Sequence, residues 1–377
     1  MLESSNISTV ANNTCNYNNF GIYLLASSSL NVINNTCNNN RMEGILLGDS
    51  GSSTVANNTF TNCSLYIGEI TVDAYLSHSV ENNWVNGKKI GFYTNLDSTI
   101  IDEPVYGQLM LVNCTNVTVR DQILNYATTG LYLYSCTHSV IINNTCNNID
   151  KSIWLYYSDY STVVNNTSNN NLVGIKLYSS GSSTVANNIY NDNTFEGIYL
   201  SNSNSSTVAN NTCNNNGFSG ILLSYSGNSD VINNKCNNNN GYGINLWNSA
   251  HCDVTYNLLQ ENEDYGIYLS SSSDDNTIHH NTFVDNNLGG TSQAYDAGAN
   301  NYWCDTETSE GNYWSDWSGT SNYSIDGSSG SVDLYPLDEP VEYSTDETQL
   351  FFTFTLLIAV VPLILMKLFS RRRRKIG

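Results

Sequence analysis

The sequence predicts an all-β protein built as a parallel β-helix, a solenoid of about twelve coils of 22–23 residues. Three observations carry that expectation. A phrase of the form Thr-Val-x-Asn-Asn recurs at near-constant intervals, a second phrase, Gly-Ile-x-Leu, falls between its copies, and 61 of the 377 residues are Asn. Asn and Gly are poor helix formers and good turn formers, so such a chain reads as short strands between turns.

The first phrase is clearest in Ser8–Cys15, STVANNTC, and returns at Ser53, Ser183 and Ser206, with weaker copies at Asn31, Ser139, Thr162, Asp230 and Thr277. The first residue of the Asn pair, or its equivalent, stands at 12, 34, 57, 82, 121, 143, 165, 187, 210, 233, 256 and 280. All steps are 22 to 25 residues except one of 39, which marks an insertion over about 84–116. A unit this short has no room for a helix and cannot bury its own apolar face, so neighbouring units must stack. Stacked parallel coils rise about 4.8 Å each.

In Gly-Ile-x-Leu the Ile and Leu point one way and x the other. The inward file runs Ile22, Ile45, Leu131, Ile153, Ile175, Ile198, Ile221, Ile244 and Ile267. The outward file, from Gly130 on, holds Tyr132, Trp154, Lys176, Tyr199, Leu222, Asn245 and Tyr268. Tyr132, Trp154, Tyr199 and Tyr268 are therefore candidate ligand-binding residues, as flat rings along a sheet that could stack on sugars; the alternative is cross-strand packing alone. The Asn pairs are read as structural, at left-handed turns and in amide ladders. Sequons at Asn62, Asn204 and Asn322 allow surface glycans, whereas Asn57 is expected to be packed in the ladder.

These repeats resemble the right-handed parallel β-helix repeats of the carbohydrate-binding and sugar-hydrolase group, and within it the NosD-like family. The insertion Trp84–Asp121, with its GKKI and VNCTNVTV stretches, looks like that family's phrase; GNYWSDWSG at Gly311–Gly319 and LYPL at Leu334–Leu337 look like its closing elements. Ser324–Ser331 departs from it, being Ser-rich where many relatives carry an acidic loop. The resemblance covers about residues 5–340. It implies a right-handed solenoid over 1–295, a closing region over 296–340, and a remote possibility of copper delivery.

Metal chemistry finds little support in composition. Copper carriers cluster Met, His or Cys, and the body before residue 350 has only three Met. There is no CxxC motif. His279 and His280 adjoin, but strand neighbours point to opposite faces, so no metal site is expected. The ten cysteines are read as buried thiols or, for Cys15–Cys37, Cys114–Cys136 and Cys213–Cys236, as disulfides between adjacent coils. Asp253, Asp274 and Asp275 are the weak catalytic candidates for a hydrolase, lyase or epimerase. The two Asp of SSSDDNT equally suit a solvated turn.

Charge divides the chain. The first 349 residues carry a formal −27, which excludes nucleic acid as a partner and leaves at most weak Ca²⁺ binding. A short acidic stalk at 341–349 leads into Leu350–Phe369, twenty predominantly apolar residues, and a basic tail at 370–377. That length spans a bilayer, and the cations place the tail in the cytoplasm. The expected protein is a single-pass, membrane-anchored extracellular β-helix, carbohydrate-binding, adhesive or scaffold and non-catalytic. Its expected partners are the membrane and a polysaccharide or cell-surface glycan, with no cofactor. A polysaccharide-processing enzyme is the alternative.

Overall fold

Each repeat folds as a coil whose strands pair in parallel with the coils before and after it. The computed structural model describes residues 1–319 and 321–341. The span 350–369, expected to cross a membrane, lies outside them. Among the described residues no helix is long and apolar enough to cross a membrane.

Val10, Val32, Val55 and Val80 fall in one register, and Ile101, Val119, Ile141, Val163, Val185, Val208, Val231, Val254 and Ile278 in another. The two sheets have four and nine strands, so the solenoid makes about 13 turns rather than twelve. The further turn hides in the insertion, where Ile100–Ile101 pairs with Thr118–Val119. The 39-residue step thus holds an ordinary coil plus a hairpin.

That hairpin governs the architecture. Trp84–Val85 turns through Asn86 and Gly87, at φ 49° and 77°, and pairs antiparallel with Lys88–Lys89. Two successive positive φ values are what a tight hairpin turn requires, hence Asn-Gly. The reversal splits the solenoid into two stacks that share a 14-stranded sheet. Cys37, Phe60 and Val85 line the first core from this sheet, together with Met110, Val112, Tyr132 and Tyr134 beyond the hairpin. Leu109, Leu111, Leu131 and Leu133, alternating with the latter set, line the second core. The outer face of the second stack's first coils therefore closes the end of the first core.

The seam is hydrogen-bonded as well as apolar. The Gln108 Nε2 donates to the Leu65 carbonyl at 2.5 Å, and the Tyr134 hydroxyl to that of Ile70 at 2.7 Å. A one-turn helix, Val72–Leu76, capped by the Thr71 hydroxyl, seats Tyr75 against Tyr132. Burying Ile or Leu side chains on both sides contributes about 1.5–3 kcal/mol each.

The Asn pairs divide their labour. The first residue takes a left-handed conformation, as in Asn165 at φ 57°, while the second is buried. Its amide bonds coil to coil: Asn144 to Asn166, Asn166 to Asn188, and on to Asn312. Asn57, expected to be packed in the ladder, is the first of its pair and is exposed; Asn58 carries the ladder there. Over the last coil, Phe283, Trp314 and Tyr323 stack at 4.0 Å, and buried Asp296 and Asp333 accept from the indoles of Trp303 and Trp314.

Candidate functional site

The outward file is in the expected register: Tyr132, Trp154, Lys176, Tyr199, Leu222, Asn245 and Tyr268 are successive partners. Its exposure is not uniform. Tyr132, expected on the surface, is 2% exposed, because the first stack covers it; Tyr66 meets it edge-on at 5.8 Å. Tyr268 is flanked by Tyr242 and Tyr295 at 4.7 and 5.0 Å, rings stacked face to face. Those rings use their faces on one another. Trp154 and Tyr199 remain half-buried and open outward.

Between these two, one coil from each, lies Lys176. Its ammonium is 5.3 Å from the Trp154 ring centroid and 4.9 Å from that of Tyr199, within cation–π range. Burial pulls the Lys176 pKa below its ordinary value, with Glu196 opposing; burial raises that of Glu196. At the corner where the first stack ends, Lys151 pairs with Glu43 and lies 4.7 Å from the Tyr66 ring and 5.7 Å from that of Trp154. The corner and the strip run into one another through Trp154. Three of the seven cations in the first 349 residues, Arg41, Lys151 and Lys176, belong to this part of the chain's fold: Arg41 acts electrostatically on Asp150, next to Lys151. Sequence periodicity placed Lys176 on the outward file, but nothing in it linked Glu43 to Lys151, 108 residues away.

The carboxylate candidates lie on neighbouring coils, Asp253 pairing in register with Thr277, two residues after Asp275. Asp274 accepts from the Ala299 backbone N–H at 2.7 Å and Asp275 from the Asn300 amide at 3.2 Å, so both hold a turn. Asp253 lies on a different strand, in register with Asp230. Burial, and then Asp253, raise the Asp230 pKa.

His279 and His280, expected on opposite faces, converge. His279 ends its strand and His280 takes φ 56°, which swings the second ring round. Their Nδ1 atoms stand 2.5 Å apart, and the His280 Nε2 is 2.9 Å from Glu310.

Comparison with known proteins adds the family. A family model described as periplasmic copper-binding protein (NosD) matches residues 80–189 and 114–319, and one described as right handed beta helix region matches residues 1–103. The chain belongs to the NosD family. Its fold is similar to that of a mannuronan C-5 epimerase A-module of Azotobacter vinelandii, at 13% identity over 88% of this chain and 89% of that one, TM-score 0.46. It is also similar to the periplasmic alginate epimerase AlgG, at 14% identity over 74% and 76%, TM-score 0.43. A third is the Siphovirus 9NA tailspike receptor binding domain, at 10% identity over 89% and 71%, TM-score 0.43. No curated protein matches the chain.

The family's description names copper, and the donors of this NosD-family chain can be tested against it. All ten cysteines are free thiols, and all but Cys15 are buried. Burial pushes the Cys146 thiol up to about 12 and that of Cys252 to about 11, so these are poor ligands. Among the described residues no three or more of His, Cys, Asp and Glu gather in a metal-holding group. Paired imidazole nitrogens do suit a copper ion, and His279 and His280 would supply them.

Proposed function

We propose that this chain is a non-catalytic, cell-surface polysaccharide-binding protein, and that its ligand is an extended glycan bearing acid groups. The single observation that carries the reading is Lys176 held between the open rings of Trp154 and Tyr199 on an otherwise acidic solenoid. A ring accepts the apolar face of a sugar, and a partly desolvated ammonium between two rings favours a carboxylate or sulfate on it. Coils about 4.8 Å apart repeat along the rod, which suits a chain rather than a compact molecule. Asp274 and Asp275 are engaged in holding a turn, which supports binding over cleavage. The anchor at Leu350–Phe369, with the body outside, is proposed from the sequence. The acidic surface would hold Ca²⁺ only weakly.

The test is binding of the full-length chain, in detergent, to a uronate polymer and to a neutral glucan. The uronate should be preferred, the preference should fall with salt, and Trp154→Ala, Lys176→Gln and Tyr199→Ala should each weaken it at least tenfold. Equal binding by all variants would sink the site. Release of shortened or unsaturated chains would replace the reading with the enzymatic one.

A further inference from the structure

We propose that the binding face continues past Tyr199 into a notch closed by Trp247, and that this notch holds a further pair of sugar units of the same acidic glycan. The proposal rests on the reading of Lys176 as the seat of an acid group, and it adds where the glycan runs and how much of it is held. Tyr178, Ser201, Ser224 and Trp247 are successive register partners. They form a second outward file, each standing two residues beyond Lys176, Tyr199, Leu222 and Asn245 on the same strands. A large ring thus stands at each end of this file, with two serines between.

The dimensions suit a glycan laid along the rod. Three strand steps separate Tyr178 from Trp247, roughly 14 Å, and a sugar ring in an extended chain advances by about one coil height. About two rings therefore fit over the serines. Tyr178 packs against the coil before it, with Tyr156 stacked at 5.2 Å and Tyr157 edge-on at 5.8 Å. Toward the notch it meets only Ser201. Trp247 is 47% exposed, and the residues beside it on the adjoining coils, Ser224 and Ser270, are too small to cover an indole. An exposed indole between serines offers its face to a sugar ring.

The polar atoms of the face point the same way. The Trp154 Nε1 at one end and the Asn245 Oδ1 at the other are buried without a hydrogen-bond partner among the described residues. Buried polar atoms are otherwise almost always paired, and Asn245 is only 4% exposed. Its neighbour in the file, one coil before, is Leu222, so coil stacking does not require an amide there. A glycan supplies both missing partners: a sugar oxygen accepts from the indole, and a sugar hydroxyl donates to the amide oxygen. Neither atom is tied by a hydrogen bond, so a side-chain rotation presents it. On the floor, the Ser201 oxygen accepts from the Asn202 amide at 3.3 Å and keeps its own proton to donate. Beyond Lys176 neither file carries a cation. The acid group is therefore read at Lys176, and the units in the notch are read by hydroxyls and a ring face.

The experiment is calorimetric titration of the full-length chain, in detergent, with a diuronate, a tetrauronate and a hexauronate. Affinity should rise at least tenfold from the di- to the tetrauronate. Trp247→Ala removes the stacking face and Ser224→Trp fills the notch. Each should abolish that rise and leave diuronate binding as in the parent, whereas Lys176→Gln should weaken binding of both lengths. Trp247→Phe should keep most of the rise. Asn245→Leu removes the orphaned oxygen, so it should weaken tetrauronate binding several-fold without lowering the melting temperature. Unchanged melting temperatures for Trp247→Ala and Ser224→Trp separate a lost contact from a lost fold. Equal affinity of the parent for both lengths, or a rise that survives Trp247→Ala and Ser224→Trp, would overturn the notch and leave the reading of Lys176 standing. A parent that binds no uronate of any length would overturn both.

Discussion

Tyr75 and Tyr132 meet hydroxyl to hydroxyl at 3.1 Å across the seam between the two stacks. Tyr75 has a second partner, the Ile67 carbonyl at 3.1 Å, so removing the Tyr132 hydroxyl does not strand it. Tyr132→Phe should cost about 1 kcal/mol, the net worth of one hydrogen bond. Tyr132→Ala should cost about 3–5 kcal/mol, because it opens a cavity over the first core. Denaturant unfolding measures both. A loss for Tyr132→Ala as small as that for Tyr199→Ala would mean that the seam does not form.

The Glu43–Lys151 pair ties the same seam by charge. The Glu43 side chain is 2% exposed and that of Lys151 16%. Lys151→Met leaves a buried carboxylate without its cation and should destabilise by about 3–5 kcal/mol. Glu43→Gln should cost less, because Lys151 keeps some water. The double variant Glu43→Gln/Lys151→Met should recover part of the Lys151→Met loss. Additive losses in the cycle would show that the two do not interact.

Adjacent Asn165 and Asn166 should respond very unequally to substitution. Asn166 donates to the Ile141 and Val164 carbonyls and to Asn188, and accepts from Asn144. Asn166→Ala leaves several of these buried groups unpaired and should cost about 2–4 kcal/mol. Asn165 is exposed at φ 57°, so Asn165→Gly should be within about 0.5 kcal/mol of the parent. Thermal melts would distinguish the pair, and equal losses would refute the division of roles.

Asp230 should make stability fall as pH rises. Its pKa in the folded chain is raised, first by burial and then by Asp253, so folding favours its protonated form. That stabilisation is fully present below the unfolded value, about 3.9, and is lost as pH climbs through the raised folded value. Asp230→Asn should therefore melt higher than the parent at neutral pH, with the advantage shrinking in acid. A parent that gains stability on Asp230 ionisation would contradict this.

The repeat, the parallel coil stacking, the inward Ile–Leu file and the register of the outward file were legible in the sequence. Each is local or recurs every 22–23 residues, and alternation along a strand assigns faces without knowledge of the rest of the chain. Even the insertion was visible as a 39-residue step. What it did was not. Only the tertiary structure showed that Asn86-Gly87 reverses the chain, so that one sheet serves two cores on opposite faces. That reversal buried Tyr132, left Trp154, Lys176 and Tyr199 open, and brought Glu43 to Lys151. The histidines followed the same rule at smaller scale: alternation sent them to opposite faces, and one left-handed residue at the end of a strand brought them together. Periodicity describes the chain where it repeats; the places where it stops repeating are set by contacts between distant residues.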